Sequence, residues 1–108
     1  MPRKPMAVLT EAMFYVLMAF RQGEMCGIDA AETIERRTGG RVKLGPATLY
    51  TILGKFEKEK LLKETLVEGR KRSYRITDKG LAAYEAELER LKKCVLDAEK
   101  EAAEHGGN

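Results

Sequence analysis

The 108-residue sequence has no tryptophan, one histidine and two cysteines, and each shortage excludes a class of protein. Cys26 and Cys94 are too few and too far apart for a disulfide framework, and one histidine does not complete a four-ligand zinc site with them. Both read as reduced thiols, and no metal or cofactor is expected. His105 sits in the closing Glu104-His105-Gly106-Gly107-Asn108 segment, where glycine and the chain end argue against a positioned general base. Neither a GxGxxG nor a Walker-type loop occurs, and Gly39-Gly40 stands where a helix would end. An enzyme is therefore not expected. No apolar run reaches the roughly 18–20 residues of a membrane span, and Met1–Leu9 lacks the apolar segment and cleavage site of a signal peptide. The chain is expected to be cytoplasmic, with no membrane partner.

What remains is a globular chain with a well-solvated surface: 44% of residues are hydrophobic and 34% charged. The length permits one domain, or one domain with an appendage. Thr10 is a plausible N-cap for a helix running to Arg21, with Gly23 as its stop. Its core stripe is Leu9, Met13, Val16, Leu17 and Phe20, while Phe14, Tyr15 and Met18 are apolar on other faces, so this helix must be buried on more than one side. A partner chain is the expected cover for one of them. The second helix spans Gly27–Thr38, with Ile28, Ala31 and Ile34 inward, and Arg41 to Gly45 form a connector. Pro46 fits the first position of a third helix that runs to about Lys58 with Leu49, Ile52, Leu53 and Phe56 inward. Strand-like stretches Leu62–Val67 and Lys71–Ile76 flank Glu68-Gly69-Arg70 and predict a hairpin. Thr77 then caps a last helix with an apolar series Leu81, Tyr84, Leu88, Leu91, Val95, Ala98 and Ala102 in steps of three and four, and with Glu85, Glu87 and Glu89 elsewhere. Such a narrow stripe predicts a second helix against it.

Charge divides the chain. Residues 1 to 76 hold 15 Lys and Arg against 9 Asp and Glu, a net of +6, while residues 77 to 108 hold 5 against 8, a net of −3. The positive excess falls on a connector, the third helix and the hairpin tip, which is better evidence for nucleic acid than its size. The order helix, helix, helix, hairpin predicts a mainly α fold with a β-hairpin wing, namely a winged helix-turn-helix over 1–76, a dimerisation helix over 77–104 and a disordered tail at 105–108. In that arrangement the third helix enters the major groove of double-stranded DNA. Ala47, Thr48 and Thr51 are expected against base edges, with Pro46 at the same DNA-binding surface, Tyr50 and Lys55 within reach of phosphates, Arg41 and Lys43 on phosphates, and Arg70, Lys71 and Arg72 on phosphates or in a minor groove.

The stretch Arg41-Val-Lys-Leu-Gly-Pro-Ala-Thr-Leu-Tyr50, with Leu53, Phe56, Glu57, Leu61 and Leu62 after it, resembles the signature of PadR-type transcriptional regulators. Gly69-Arg-Lys-Arg-Ser-Tyr-Arg-Ile-Thr-Asp-Lys-Gly80 is similar to that family's wing and the entry to its last helix, and the Leu9-Thr-Glu-Ala12 and Met25-Cys-Gly-Ile28 segments sit where the family has similar runs. The resemblance spans roughly residues 8 to 98. It implies a homodimeric repressor on a palindromic operator, joined mainly by the last helix, of the compact subgroup in which planar aromatic compounds enter a pore at the dimer centre. Members that bind such compounds stack them on an aromatic side chain of the last helix; the matching position here is Leu91. Phe14, Met18, Leu91 and Val95 are therefore the candidate walls of an apolar effector pore, and Phe14, Tyr15, Met18, Leu81, Tyr84, Leu88, Leu91, Val95 and Ala98 the candidate dimer interface. The rival reading is a winged-helix module that docks proteins and never touches DNA. Steep loss of DNA affinity with salt separates the two.

Overall fold

The computed structural model describes residues 9–105. Thr10 starts the first helix, its hydroxyl accepting a hydrogen bond from the Met13 amide at 3.1 Å, and α1 runs Glu11–Arg21. A two-residue strand, β1 (Met25–Cys26), leads directly into α2 (Gly27–Arg37). Gly39 and Gly40, both at positive φ, stop α2 where a side chain would be strained. Pro46 opens α3 (Pro46–Lys58), and β2 (Leu62–Glu68) and β3 (Lys71–Ile76) form the hairpin. Only Gly69 and Arg70 lie between the paired residues Glu68 and Lys71, and Gly69 takes φ +59° there. Thr77 caps α4 (Asp78–Glu104), accepting from the Gly80 amide at 3.0 Å. The expected mainly α fold with a hairpin wing is the fold observed. Of the expected tail, His105 closes α4 and residues 106–108 lie outside the described part, as do residues 1–8.

The sheet has a third strand that the sequence did not reveal. β1 pairs antiparallel with β3, Met25 opposite Tyr74 and Cys26 opposite Ser73, so β3 is central between β1 and β2. The hairpin is also irregular: its register shifts between Glu64 and Leu66, and the extra Thr65 donates to the Glu24 carboxylate at 2.8 Å. Such a bulge bends a strand; here it ties the wing to the start of β1.

Leu17, Phe20, Ile34, Leu53, Phe56 and Leu62 are almost fully buried and join α1, α2, α3 and the wing base in one core. Each such side chain is worth about 1.5–3 kcal/mol on leaving water. The inward face of α2 differs from the expected one. Ala30 and Ile34 carry it together with Gly27, whereas Ile28 is 57% exposed. At Gly27 a Cβ would lie 2.8 Å from Leu53 Cδ1, so α2 approaches α3 through its small residues and Ile28 is rotated past the contact.

α4 has two apolar faces rather than one seam. Tyr84 stacks on Phe14 with ring centroids 5.1 Å apart and 10° between planes, and Gly80, Tyr84 and Glu87 are buried against the rest of the chain. Leu88 and Leu91 are half-buried beside them, while farther along Val95 and Leu96 are 57% and 52% exposed. Glu87, expected at the surface, is 5% exposed and is held by Arg90 through two hydrogen bonds of 2.9 and 2.5 Å. The Arg90 guanidinium keeps its carboxyl below the ordinary glutamate value of 4.5. A carboxyl depressed by folding stabilises the fold fully above 4.5, and that contribution is lost as the pH falls through the folded value. Melting temperatures followed from neutral pH downward should therefore show Glu87→Gln less stable than the parent at neutral pH, with the gap closing below 4.5. A gap independent of pH would mean that the charge on Glu87 contributes nothing.

A joint binds the end of α3 to the start of α4. Lys60 takes the left-handed conformation, φ 65°, that usually belongs to glycine after a helix, at a cost of about 1–2 kcal/mol. The Thr77 hydroxyl approaches the carbonyls of Lys60 and Leu61 at 2.7 and 3.1 Å, and the Thr77 amide donates to the Leu61 carbonyl at 3.0 Å. Lys79 Nζ donates to the Glu59 carbonyl at 3.0 Å.

Candidate nucleic-acid interface

At about 100° per residue, α3 divides into three faces. Leu49, Ile52, Leu53 and Phe56 are buried, as expected. Ala47, Thr48, Thr51 and Lys55 share an outward face on which every side chain is exposed, and Pro46 stands exposed at its leading end. Tyr50, Gly54 and Glu57 occupy the third face, turned toward the wing. Tyr50 is 51% exposed, and it does not lie among the small residues of the outward face.

Of the three cations at the wing tip, Arg72 crosses the hairpin to Glu64 at 3.1 Å. Arg70 and Lys71 have no ion-pair partner among the described residues and are exposed. The two connector cations are engaged differently. Arg41 donates to the Glu11 carboxylate at 2.8 Å and to the Tyr15 hydroxyl at 2.9 Å, and Lys43 lies 3.7 Å from Glu35. Arg41 thus leans on the start of α1.

Between α2, α3 and the wing lies a cleft of about 600 Å³. Ile28 and Asp29 close one side, Tyr50, Gly54 and Glu57 the second, and Arg70, Lys71 and Arg72 the third, with Tyr74 among the inner residues. Burial pushes the Tyr74 phenol up from its ordinary value, with the Glu57 and Glu64 carboxylates adding to it, so the hydroxyl stays protonated at neutral pH. Ile28, expected in the core, lines this cleft, and so does Gly54, for which no role was expected. A glycine in the interior of a helical stretch was the available signal. A Cβ at Gly54 meets nothing within 4 Å, and its helical setting gives Gly54→Ala an expected gain of about 0.5–1 kcal/mol in chemical denaturation. A loss would mean that the position is more crowded than the cleft suggests.

Within a single chain the candidate pore residues do not form one wall. Phe14 and Leu91 share a cleft of about 320 Å³ between α1 and α4, lined also by Tyr15, Glu87 and Arg90. Leu91 and Val95 share an adjoining open apolar surface with Leu88 and Leu96. Met18 borders neither. Phe14 and Tyr84, both candidates for a dimer contact, are largely buried against each other within one chain.

Three helices, a hairpin packed beside the third, and an exposed polar face on that helix define a winged helix-turn-helix regulator. The sequence matches the Transcriptional regulator PadR-like family over residues 16–86, and the chain belongs to that family. Among solved structures it is similar to a transcriptional regulator from Clostridium thermocellum, at 26% identity and a TM-score of 0.69 over 80% of this chain and 89% of that one. RosR from H. salinarum has a TM-score of 0.69 at 19% identity, covering 92% and 99%. Bacillus subtilis PadR, solved in complex with operator DNA, has a TM-score of 0.65 at 22% identity, covering 73% of this chain and 47% of that one. No curated protein matches the chain significantly.

Proposed function

We propose that the chain is a homodimeric repressor that reads a palindromic operator with the outward face of α3. The observation that carries this reading is the exposed row of Ala47, Thr48, Thr51 and Lys55 beside a wing whose Arg70 and Lys71 have no ion-pair partner among the described residues. Small methyl- and hydroxyl-bearing side chains suit base edges, and unpaired cations suit phosphates. Tyr50, Pro46 and Arg72 flank that surface. Arg41 and Lys43 reach DNA by exchanging carboxylate partners for phosphates. Residues 1–76 supply the reading domain and residues 77–104 the dimer helix, whose exposed Val95, Leu96 and Ala98, with half-buried Leu88 and Leu91, offer an apolar surface to a second copy. Tyr15, which shares the α1–α4 cleft with Leu91, and the half-buried Met18 and Leu81 extend the proposed contact toward α1 and the start of α4. A small apolar or aromatic effector fits the α1–α4 cleft that this seam would close, and releases DNA only if it binds the DNA-free state better. No helix among the described residues is long and apolar enough to cross a membrane, and the work of a repressor places the chain in the cytoplasm without catalytic activity.

The test is an anisotropy titration against the duplex upstream of the chain's own gene and a scrambled duplex, over a range of salt. The natural duplex should bind more tightly and saturate at two chains per site. Arg70→Ala and Lys71→Ala should each weaken binding to both duplexes alike and lower the salt slope by about 1, whereas Thr48→Ala and Thr51→Ala should relax the preference between them. A slope unchanged in both wing variants would remove the wing from the contact surface. Absence of DNA binding at low salt would favour the protein-docking reading.

A further inference from the structure

The cleft between α2, α3 and the wing lies beside the outward face of α3, on the face that carries Tyr50, Gly54 and Glu57. It is about 600 Å³ in volume, within the range of small-molecule sites. Its walls expose two large apolar side chains, Ile28 at 57% and Tyr50 at 51%, around a helix position that carries no side chain, Gly54. A flat ring system can lie against the α3 backbone at Gly54, between Ile28 and the Tyr50 ring. Charge is graded across the cleft. Asp29 and Glu57 sit on the helical walls, while Arg70 and Lys71 form the lip on the wing and lack ion-pair partners among the described residues. Arg72 is already held by Glu64.

We propose that this cleft binds a planar aromatic anion of two or three rings, its rings over Gly54 and its acid group at Arg70 and Lys71. The carboxylates of Asp29 and Glu57 repel the acid group from the helical walls and so fix the ligand's direction. They also accept hydrogen bonds from a hydroxyl or amine on its far ring. The site is distinct from the α1–α4 cleft and needs no second copy of the chain. Because Tyr50, Arg70 and Lys71 also belong to the proposed DNA surface, an occupant competes with DNA for the same side chains. That consequence, unlike the site itself, rests on the DNA reading given above.

The experiment is an NMR titration of the full chain with 2-naphthoate, following the amides of Gly27, Ile28, Gly54 and Arg70, with 2-naphthylmethylamine as the cation of similar shape. The anion should shift these signals saturably with a Kd of about 1 mM or tighter, and the cation should not. Gly54→Leu fills open space and should abolish the response while leaving signals elsewhere in place. Tyr50→Ala should weaken binding about tenfold. The proposal is overturned by any of four results: no saturable shift, shifts confined to α4, equal response to the cation, or a response that survives Gly54→Leu. Displacement of a bound duplex is measured separately. A chain that binds 2-naphthoate at these amides but binds no duplex keeps the site and loses the DNA reading; one that binds duplex without these shifts keeps the DNA reading and loses the site.

Discussion

Gly80→Ala should lower the stability of the chain by about 3 kcal/mol, at the upper end of the cost of overpacking. A Cβ at this position would fall closer to the Leu61 carbonyl oxygen than side chains are ever found, and 2.7 Å from Ile76 Cγ1. The carbonyl is backbone and already accepts from the Thr77 amide, so it cannot turn aside without opening the joint. For a domain of this size about 3 kcal/mol corresponds to a fall of more than about 10 °C in melting temperature, readily seen by circular dichroism. A variant that melts with the parent would show that α4 does not seat on Leu61. Gly54→Ala, a glycine replacement in another helix, is expected to act in the opposite direction because its Cβ meets open space.

Val95→Asp should leave the fold unchanged and convert the proposed dimer into a monomer. Val95 is over half exposed in the isolated chain, so a carboxylate there meets water, whereas at a seam between two copies of α4 it would be buried without a partner. Sedimentation equilibrium reads the change in mass. Because two linked half-sites gain affinity from one another, operator binding should fall by about 10²–10⁴-fold while binding to an isolated half-site stays close to the parent. A dimer that persists would place the interface away from the second half of α4.

The helices were legible because their ends are written in side-chain chemistry. Thr10 and Thr77 cap through their hydroxyls, Pro46 occupies a first-turn position, and Gly39-Gly40 takes positive φ, all local events visible in a few residues. What escaped depends on distant neighbours. β1 is two residues long, too short to show a period, and exists because β3 lies beside it. Ile28 shares a three-residue spacing with Ala31 and Ile34, yet the approach of α2 to α3 at Gly27 selects the face bearing Ala30 instead. Glu87 breaks the apolar pattern of α4, and only Arg90 three residues later hinted that the carboxylate had an internal partner. The outward face of α3 could be read as what its buried face leaves over. The cleft beside it could not, since its walls come from α2, α3 and the wing, which lie apart in the sequence.

The joint at Thr77 makes α4 a lever arm. Its 27 residues span about 40 Å at 1.5 Å per residue, and the fulcrum is Thr77, bonded to the turn that ends α3. In the proposed dimer, clasped through the far half of α4, a swing of about 5° at Thr77 carries the clasp at Val95, about 25 Å along the helix, by about 2 Å relative to the reading head, a sizeable part of the rise of one base pair when a helical turn of 10–10.5 base pairs spans 34–36 Å. Under the proposed function, tolerance for half-site spacing depends on the stiffness of this threonine-capped joint together with the Phe14–Tyr84 stack that seats α4 on α1, and loosening Thr77 should broaden the range of operator lengths accepted before it changes the bases preferred within each half.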